Sequence, residues 1–142
     1  MINIVIIEDS MLIRQKVLGM EDCKNNVQII GSANTAIDGL RLLRNTNPDF
    51  ILIDIDLPDL CGIDLIRYIK KHYRSTALVM ITNHPNSWYR ERCKKLGADY
   101  FLDPTQEPQK LQEILTKYIK SSDKDVYRND SGDNNMKCGQ LM

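Results

Sequence analysis

The sequence predicts an α/β domain in which five parallel strands form one sheet between helices. Short apolar runs alternate with amphipathic stretches from the N-terminus to about residue 120, which is the pattern of repeated strand–helix–strand units. Several of these runs are apolar at nearly every position, as is typical of strands covered by helices on both faces. The chain of 142 residues is long enough for one such domain.

Strand candidates are the short runs rich in β-branched and other apolar residues between polar turns. The run that ends at Ile7 is the clearest of them. The five predicted strands are Ile2–Ile7, Val27–Ser32, Phe50–Ile53, Leu78–Ile81 and Tyr100–Leu102.

The segments between the strands repeat apolar residues every three or four positions, which predicts amphipathic helices. Ser10 is predicted to cap the first helix, and Gly97 is predicted to end the fourth. The predicted buried faces are Ile13, Val17 and Met20; Ile37, Leu40 and Leu43; Leu65, Ile66 and Ile69; Tyr89, Cys93 and Leu96; and Leu111, Ile114, Leu115 and Tyr118.

We predict that the folded domain comprises residues 1–120. Residues 121–142 are mostly Ser, Asp, Asn, Lys and Gly and offer little to bury. They are therefore predicted to form a disordered polar tail.

The overall composition argues against several classes of protein. The 19 basic and 19 acidic residues balance to a formal net charge of +0, so we expect no binding of nucleic acid or of a membrane surface. No apolar run approaches the length of a membrane span and no signal peptide is apparent, which predicts a cytoplasmic protein. The four cysteines are scattered, and neither a zinc site nor a disulfide framework is indicated. The basic run from Arg90 to Lys95 is predicted to be a solvated helix face.

Polar side chains follow three of the predicted strands. Glu8 and Asp9 follow the first strand, Asp54 the third and Thr82 the fourth. Ligands of open parallel sheets bind beyond the carboxyl ends of the strands, and a strand order of 2-1-3-4-5 brings these four residues into one crevice. Three crowded carboxylates raise one another's pKa and are stable together only with a cation. Oxygen ligands favour Mg²⁺ or Mn²⁺, and Mg²⁺ commonly joins one or two carboxylates to a phosphate oxygen.

Four motifs in this order resemble the receiver domain of two-component response regulators, the CheY-like family. The resemblance covers roughly residues 2 to 119. The motifs are Glu8-Asp9 after the first strand, the D-x-x-x-P-x-x-x-G loop from Asp54 to Gly62, Thr82, and Gly97-Ala98-Asp99 before an aromatic strand.

This resemblance implies a three-layer, flavodoxin-like (βα)5 fold with strand order 2-1-3-4-5. It implies that Asp54 accepts a phosphoryl group from a histidine kinase or phosphotransfer protein in a Mg²⁺-dependent phosphorelay. Glu8 and Asp9 would hold the metal together with Asp54 and the backbone carbonyl of Asp56. The protein would be a stand-alone phosphoacceptor and not an enzyme, because no output domain is recognisable in the chain.

The resemblance also implies two residues that respond to phosphorylation. Thr82 would be the hydroxyl residue that contacts the phosphoryl group, and Phe101 would be the aromatic residue whose rotamer follows it. The signal would pass to an unknown downstream protein through the surface of the fourth helix, fifth strand and fifth helix. Trp88 is predicted to be exposed on that surface, because Tyr89, Cys93 and Leu96 define the opposite, buried side of the helix.

One position departs from the family pattern. The family presents a lysine after the fifth strand to pair with the phosphoryl group, but alignment without a gap from Gly97 places Pro104 there. Proline carries neither charge nor donor. Loss of a charge-assisted hydrogen bond worth about 1.5 to 3 kcal/mol should weaken the switch while leaving acceptor chemistry possible. Lys110 is predicted to be a solvated helix lysine and not a replacement.

Two other functions compete with the phosphoacceptor. Pro104 favours a degenerate receiver that acts as a phosphorylation-independent docking or dimerisation module, with a homodimer as one outcome. Asp54-Ile55-Asp56 also fits the D-x-D motif of haloacid dehalogenase phosphatases. That class places the motif on its opening strand, however, whereas here it follows the third strand.

Overall fold

The computed structural model describes residues 1–9, 11–19, 25–82, 87–104, 107 and 109–119. Five parallel strands form a single sheet in the order β2-β1-β3-β4-β5, which confirms the predicted topology. Each predicted strand is present, with bounds that differ by no more than one residue. The strands are β1 (Ile2–Ile7), β2 (Val27–Ala33), β3 (Phe50–Asp54), β4 (Ala77–Ile81) and β5 (Tyr100–Leu102).

The helices lie in two layers, one on each face of the sheet. Alternate residues of the strands point to opposite faces, and two separate apolar cores result. Helices α2, α3 and α4 pack on the first core, and α1 packs on the second with the fifth helix, α5. The helices are α1 (Leu12–Gly19), α2 (Ala36–Arg44), α3 (Ile63–His72), α4 (Ser87–Leu96) and α5 (residues 110–119).

The predicted buried face of α2 is wrong at one position. Ile37 is 50% exposed, and the buried residues are Ala36, Gly39 and Leu43. A Cβ atom on Gly39 would meet the side chain of Ile7, so the missing side chain lets α2 lie close to β1. Because Ala36 and Gly39 are small enough to face the sheet, α2 is rotated by about one residue from the orientation that its apolar pattern predicts.

The other predicted helix faces agree with the structure where it describes them. Leu65, Ile66 and Ile69 are buried, as are Leu111, Ile114 and Leu115. Tyr118 packs edge-on against Phe50 with ring centres 4.6 Å apart. Ser10, Met20 and the predicted tail at 121–142 lie outside the described residues.

The predicted end of α4 at Gly97 is confirmed. Gly97 has φ of 110°, a left-handed conformation that favours glycine. Its N–H donates to the carbonyl of Lys94 at 3.1 Å, and the N–H of Ala98 donates to that of Cys93 at 3.0 Å. This pair of bonds is the Schellman motif. No helix in the described part of the chain is long and apolar enough to cross a membrane.

Candidate functional site

The carboxyl ends of β1, β3 and β4 form an acidic edge of the sheet. Asp54 is the last residue of β3, the central strand, and is partly exposed. Its Oδ1 atom accepts a hydrogen bond from the backbone N–H of Asp56 at 2.9 Å. The side chain of Asp56 is exposed, so the backbone of Asp56 rather than its carboxylate is the part that lies against Asp54.

Glu8 is buried beside Asp54 and also anchors α1. Its side chain is only 6% exposed. Its Oε1 accepts hydrogen bonds from the N–H groups of Ile13 at 3.0 Å and Arg14 at 3.4 Å, which are otherwise unsatisfied donors at the start of the helix. The pKa of Glu8 is raised from 4.5 to about 7. Burial is the main cause of this net shift, the two N–H groups oppose it, and the charge of Asp54 adds to it. The two carboxylates are therefore close enough to interact.

The predicted crowding of three carboxylates is not seen in this conformation. Among the described residues, no three His, Cys, Asp or Glu side chains are placed as a metal-binding group. Asp9 is exposed, and the oxygens of Glu8 and Asp54 are engaged with backbone N–H groups of Ile13 and Asp56. The assignment of the metal ligands stays a prediction.

The donors at this edge nevertheless suit Mg²⁺. Glu8 and Asp54 offer carboxylate oxygens, and the hydrogen bond from the N–H of Asp56 holds the backbone of Asp56 beside Asp54. Mg²⁺ usually takes one or two carboxylates and fills its remaining positions with water and phosphate oxygens. Burial and the neighbouring charge of Asp54 both raise the pKa of Glu8, and a bound cation would oppose both effects.

The loop after Asp54 is closed by a glycine. The N–H of Gly62 donates to the carbonyl of Ile55 at 2.7 Å, and Asp56 and Cys61 form an isolated β-bridge. A Cβ atom on Gly62 would collide with the backbone carbonyl of Asp54. Gly62 therefore lets the loop return directly against the residue that carries the site.

Thr82 and Phe101 lie on neighbouring strands. Thr82 follows β4, is 1% exposed, and its N–H donates to the carbonyl of Leu102 at 3.1 Å. Phe101 is 7% exposed and belongs to the core beneath α4. Their proposed response to phosphorylation stays a prediction.

A polar cluster covers Phe101, and the sequence did not predict it. Arg90 on α4 lies over the ring, and its NH2 group is 3.4 Å from Oε1 of Glu107. Lys110 on α5 donates to the carbonyl of Phe101 and to Oε2 of Glu107, both at 3.3 Å. Burial alone would raise the pKa of Glu107, but hydrogen bonds from the N–H of Asp103 and from Lys110 bring it below its usual value.

The predicted solvated face from Arg90 to Lys95 is confirmed at Arg92, Lys94 and Lys95, which are exposed. It is wrong at Arg90, and the solvated position predicted for Lys110 is wrong as well, because both side chains are partly buried and have partners. Arg90 and Lys110 contact β5 from opposite sides because each can reach the Phe101 carbonyl and Glu107. Trp88 is 60% exposed, which confirms its predicted position. The pattern of charges along one helix holds no information about a partner on another element, so the contacts could not be found from the sequence.

The loop after β5 is held by a lysine from α1. Pro104 is buried, and its carbonyl accepts a hydrogen bond from Nζ of Lys16 at 3.1 Å. Asp103, just before it, is 1% exposed. The sequence analysis predicts no role for Lys16, although its place between Ile13 and Val17 on the buried side of the helix could have pointed to such a contact.

An open cavity gives access to the acidic edge. It has a volume of about 670 Å³ and is lined by Glu8, Asp9 and Arg14 of the first strand–helix connection and by Ser32 and Asn34 at the end of β2. The NH1 group of Arg14 is 3.2 Å from Oγ of Ser32. A ligand of appreciable size can therefore approach the acidic edge from this side.

Comparison with known proteins agrees with this fold and site. The sequence profile of the response regulator receiver domain family matches residues 4–116. The chain is 28% identical over 127 residues to the sensory transduction protein LytT of Bacillus cereus, covering 89% of the chain and 50% of that protein. It is 26% identical over 121 residues to a protein-glutamate methylesterase/protein-glutamine glutaminase of Clostridium acetobutylicum, covering 84% of the chain and 35% of that protein.

Solved structures share the fold. A CheY-like response regulator receiver domain protein from Methanospirillum hungatei superposes with a TM-score of 0.71 at 23% identity, covering 87% of the chain and 98% of that structure. The receiver domain of the NarL response regulator from Mycobacterium tuberculosis superposes with a TM-score of 0.72 at 20% identity, covering 84% and 96%.

The structure is a parallel sheet with helices on both faces and acidic side chains at the carboxyl ends of its strands. These features define the class of protein to which the chain belongs. The chain belongs to the response regulator receiver domain family of two-component signal transduction. It spans half or less of the length of the two relatives named above. A receiver domain is not itself catalytic, and the methylesterase activity in the name of one relative is a property of that protein.

Proposed function

We propose that Asp54 accepts a phosphoryl group from a phosphohistidine of a histidine kinase or phosphotransfer protein. The placement of Asp54 supports this most directly, because a partly exposed carboxylate ends the central strand at the edge where parallel sheets bind ligands. An oxygen of Asp54 would form a bond to phosphorus as the bond from phosphorus to the imidazole nitrogen breaks. The imidazole leaves and takes a proton from solvent.

The side chains around Asp54 have separate tasks in this proposal. Glu8, Asp9, Asp54 and the carbonyl of Asp56 would hold Mg²⁺, which when bound neutralises the repulsion between the carboxylate and the phosphoryl oxygens. Glu8 also fixes the start of α1 through Ile13. Thr82 would donate its hydroxyl to the phosphoryl group after transfer.

The exposed face of α1 suits a docking partner. Met11 just before α1, and Leu12 and Leu18 on it, are 58%, 51% and 60% exposed. Large apolar side chains are therefore exposed along α1, with Met11 and Leu12 at its end nearest the acidic edge. Exposed apolar side chains grouped beside a site mark contact with another protein. We assign this face to the phosphodonor, and the surface of α4, β5 and α5 to an unknown downstream protein. The proposal places the protein in the cytoplasm, with no nucleic acid bound by this domain.

A chemical test needs only the protein and a small phosphodonor. The chain is incubated with Mg²⁺ and acetyl phosphate, and intact mass spectrometry follows a base-labile phosphoryl adduct. Asp54→Asn should abolish the adduct. Asp64→Asn is the matched control, because its side chain is exposed on α3 and has no part in the proposed site. Loss of the adduct in both variants, or steady phosphatase turnover that needs Asp56, would contradict the proposal.

The second candidate is a docking or dimerisation module that works without phosphorylation. The observation in its favour is the buried, uncharged Pro104 where the family presents a lysine. An unphosphorylated wild-type protein after exhaustive treatment, together with a concentration-dependent mass in sedimentation equilibrium, would support this candidate instead.

A further inference from the structure

Lys16 places a positive charge at the loop that follows β5. Its Nζ atom lies 3.1 Å from the carbonyl oxygen of Pro104, a residue 88 positions away. The neighbouring Ile13 and Val17 are buried in the core that α1 shares with α5, so the half-buried stem of Lys16 runs along that core. Side chains of a helix lean towards its N-terminus, which directs this ammonium group towards the acidic edge.

Pro104 occupies the position at which the receiver family presents a lysine, so the positive charge of that lysine is absent there. It is buried, and the end of the strand that leads to it is joined to Thr82 by the hydrogen bond from the N–H of Thr82 to the carbonyl of Leu102. The first lysine after β5, Lys110, donates instead to Phe101 and Glu107. Within the part of the chain that the structure describes, the cation that contacts Pro104 is therefore Lys16 of α1.

The contact with Pro104 uses only part of the hydrogen-bonding capacity of the Lys16 ammonium group. The ammonium group has three N–H donors, and the contact with Pro104 uses one of them. The partner in this contact is an uncharged carbonyl, so the contact itself does not pair the ammonium group with a negative charge. A phosphoryl group on Asp54 would add about 1.5 to 2 negative charges to an edge that already carries Glu8 and Asp103.

Resting on the proposed phosphoacceptor role of Asp54, we propose that Lys16 contacts the phosphoryl group in place of the lysine that the family presents after the fifth strand. Lys16 keeps one donor on Pro104 and turns another to a phosphoryl oxygen. The role that one residue fills in the family is thus divided here, with Pro104 fixing the position and Lys16 supplying the charge from α1.

The test compares rates of phosphorylation of the full chain by acetyl phosphate at saturating Mg²⁺. Lys16→Met keeps the apolar stem and removes the charge, and it should slow adduct formation roughly 10- to 100-fold, the value of a charge-assisted hydrogen bond. Lys16→Arg keeps the charge and should remain close to wild type. Lys71→Met is the matched control, because Lys71 is exposed near the C-terminal end of α3, at the opposite edge of the sheet.

A second comparison separates charge from structure. Pro104→Lys restores the family residue, so Lys16→Met should have little effect in that background. Mg²⁺ affinities of all variants should match those of their parents, because Lys16 is assigned to the phosphoryl group and not to the metal. Urea midpoints report separately what loss of the contact with Pro104 costs in stability.

The outcomes distinguish this proposal from the one on which it rests. A Lys16→Met protein that reacts at the wild-type rate overturns the role of Lys16 and leaves the role of Asp54 intact. A slow Lys16→Met protein that Pro104→Lys does not rescue also overturns it. A wild-type protein that forms no adduct at all overturns both.

Discussion

The guanidinium carbon of Arg90 lies 4.7 Å from the centre of the Phe101 ring, so a cation of α4 covers the aromatic residue of β5. The same guanidinium reaches Glu107, whose second oxygen is held by Lys110 of α5. One side chain thereby joins the three elements that form the proposed output surface. Phe101 is held inward by contacts that do not involve Asp54.

Arg90→Met should lower the free energy of unfolding by about 1 kcal/mol, because a partly exposed cation–π contact and a partly exposed ion pair are lost together. Urea denaturation at low and high salt measures the change. The difference from wild type should shrink as salt screens the pair. Arg92→Met is the control, since Arg92 is exposed on the same helix. Equal losses in both variants would show that the contact with Phe101 contributes nothing.

Gly62→Ala should destabilise the loop that carries the phosphoacceptor. The added methyl group would collide with the backbone carbonyl of Asp54, which cannot move without disturbing β3. We expect a loss of about 1 to 3 kcal/mol, as for other overpacked sites, measured by thermal unfolding. Gly19→Ala is the matched control, because its Cβ would meet nothing within 4 Å. A fully stable Gly62→Ala protein would mean that the loop is not closed in this way.

The strands and their order could be predicted because buried parallel strands require continuous apolar runs. The correct burial of α2 could not, because it depends on how closely Gly39 allows the helix to approach Ile7. An apolar pattern gives the side chains that can be buried. It does not give the distance between two elements. The close approach of α2 to β1 at Gly39 sets the orientation of the helix, and this orientation leaves Ile37 exposed.

The candidate site likewise has features that the sequence predicts and features that it does not. Position along the sheet was predictable, since Asp54 and Thr82 had to lie where their strands end. The conformation of Glu8 was not, because a glutamate is long enough to turn back and accept the N–H groups of Ile13 and Arg14. Contacts between distant segments, such as Lys16 with Pro104, depend on side chains that cross between elements. Periodicity within one segment does not predict contacts of this kind.

Glu8 should make folding less favourable as pH rises. Its pKa is 4.5 as an ordinary glutamate and about 7 in the folded protein, mainly because of burial. Between these values the folded state keeps a proton that the unfolded state has released. Stability from this group is therefore full below about pH 4.5 and lost as pH rises to about 7, with a total change of roughly 3 kcal/mol.

Glu8→Gln removes the charge and keeps an oxygen that can accept from Ile13. In metal-free buffer its advantage over wild type should grow by roughly 2 to 3 kcal/mol from about pH 5 to about pH 8. Urea titrations at the two pH values measure it. Glu91→Gln, at an exposed position on α4, should follow the wild type. Parallel pH profiles for Glu8→Gln and wild type would rule out a raised pKa at Glu8.

Binding of Mg²⁺ should show the opposite dependence on pH. A metal needs the ionised form of Glu8, so below about pH 7 each ion that binds displaces a proton, and the affinity should rise up to about tenfold per pH unit before reaching a plateau. Titration calorimetry without phosphodonor, from about pH 5.5 to about pH 8, would follow this. Glu8→Gln should bind more weakly and lose the pH dependence. Asp64→Asn, at an exposed position on α3, should keep both affinity and pH dependence, because Asp64 is not assigned to the metal. An affinity that is constant across this range in the wild type would place the Mg²⁺ site away from Glu8.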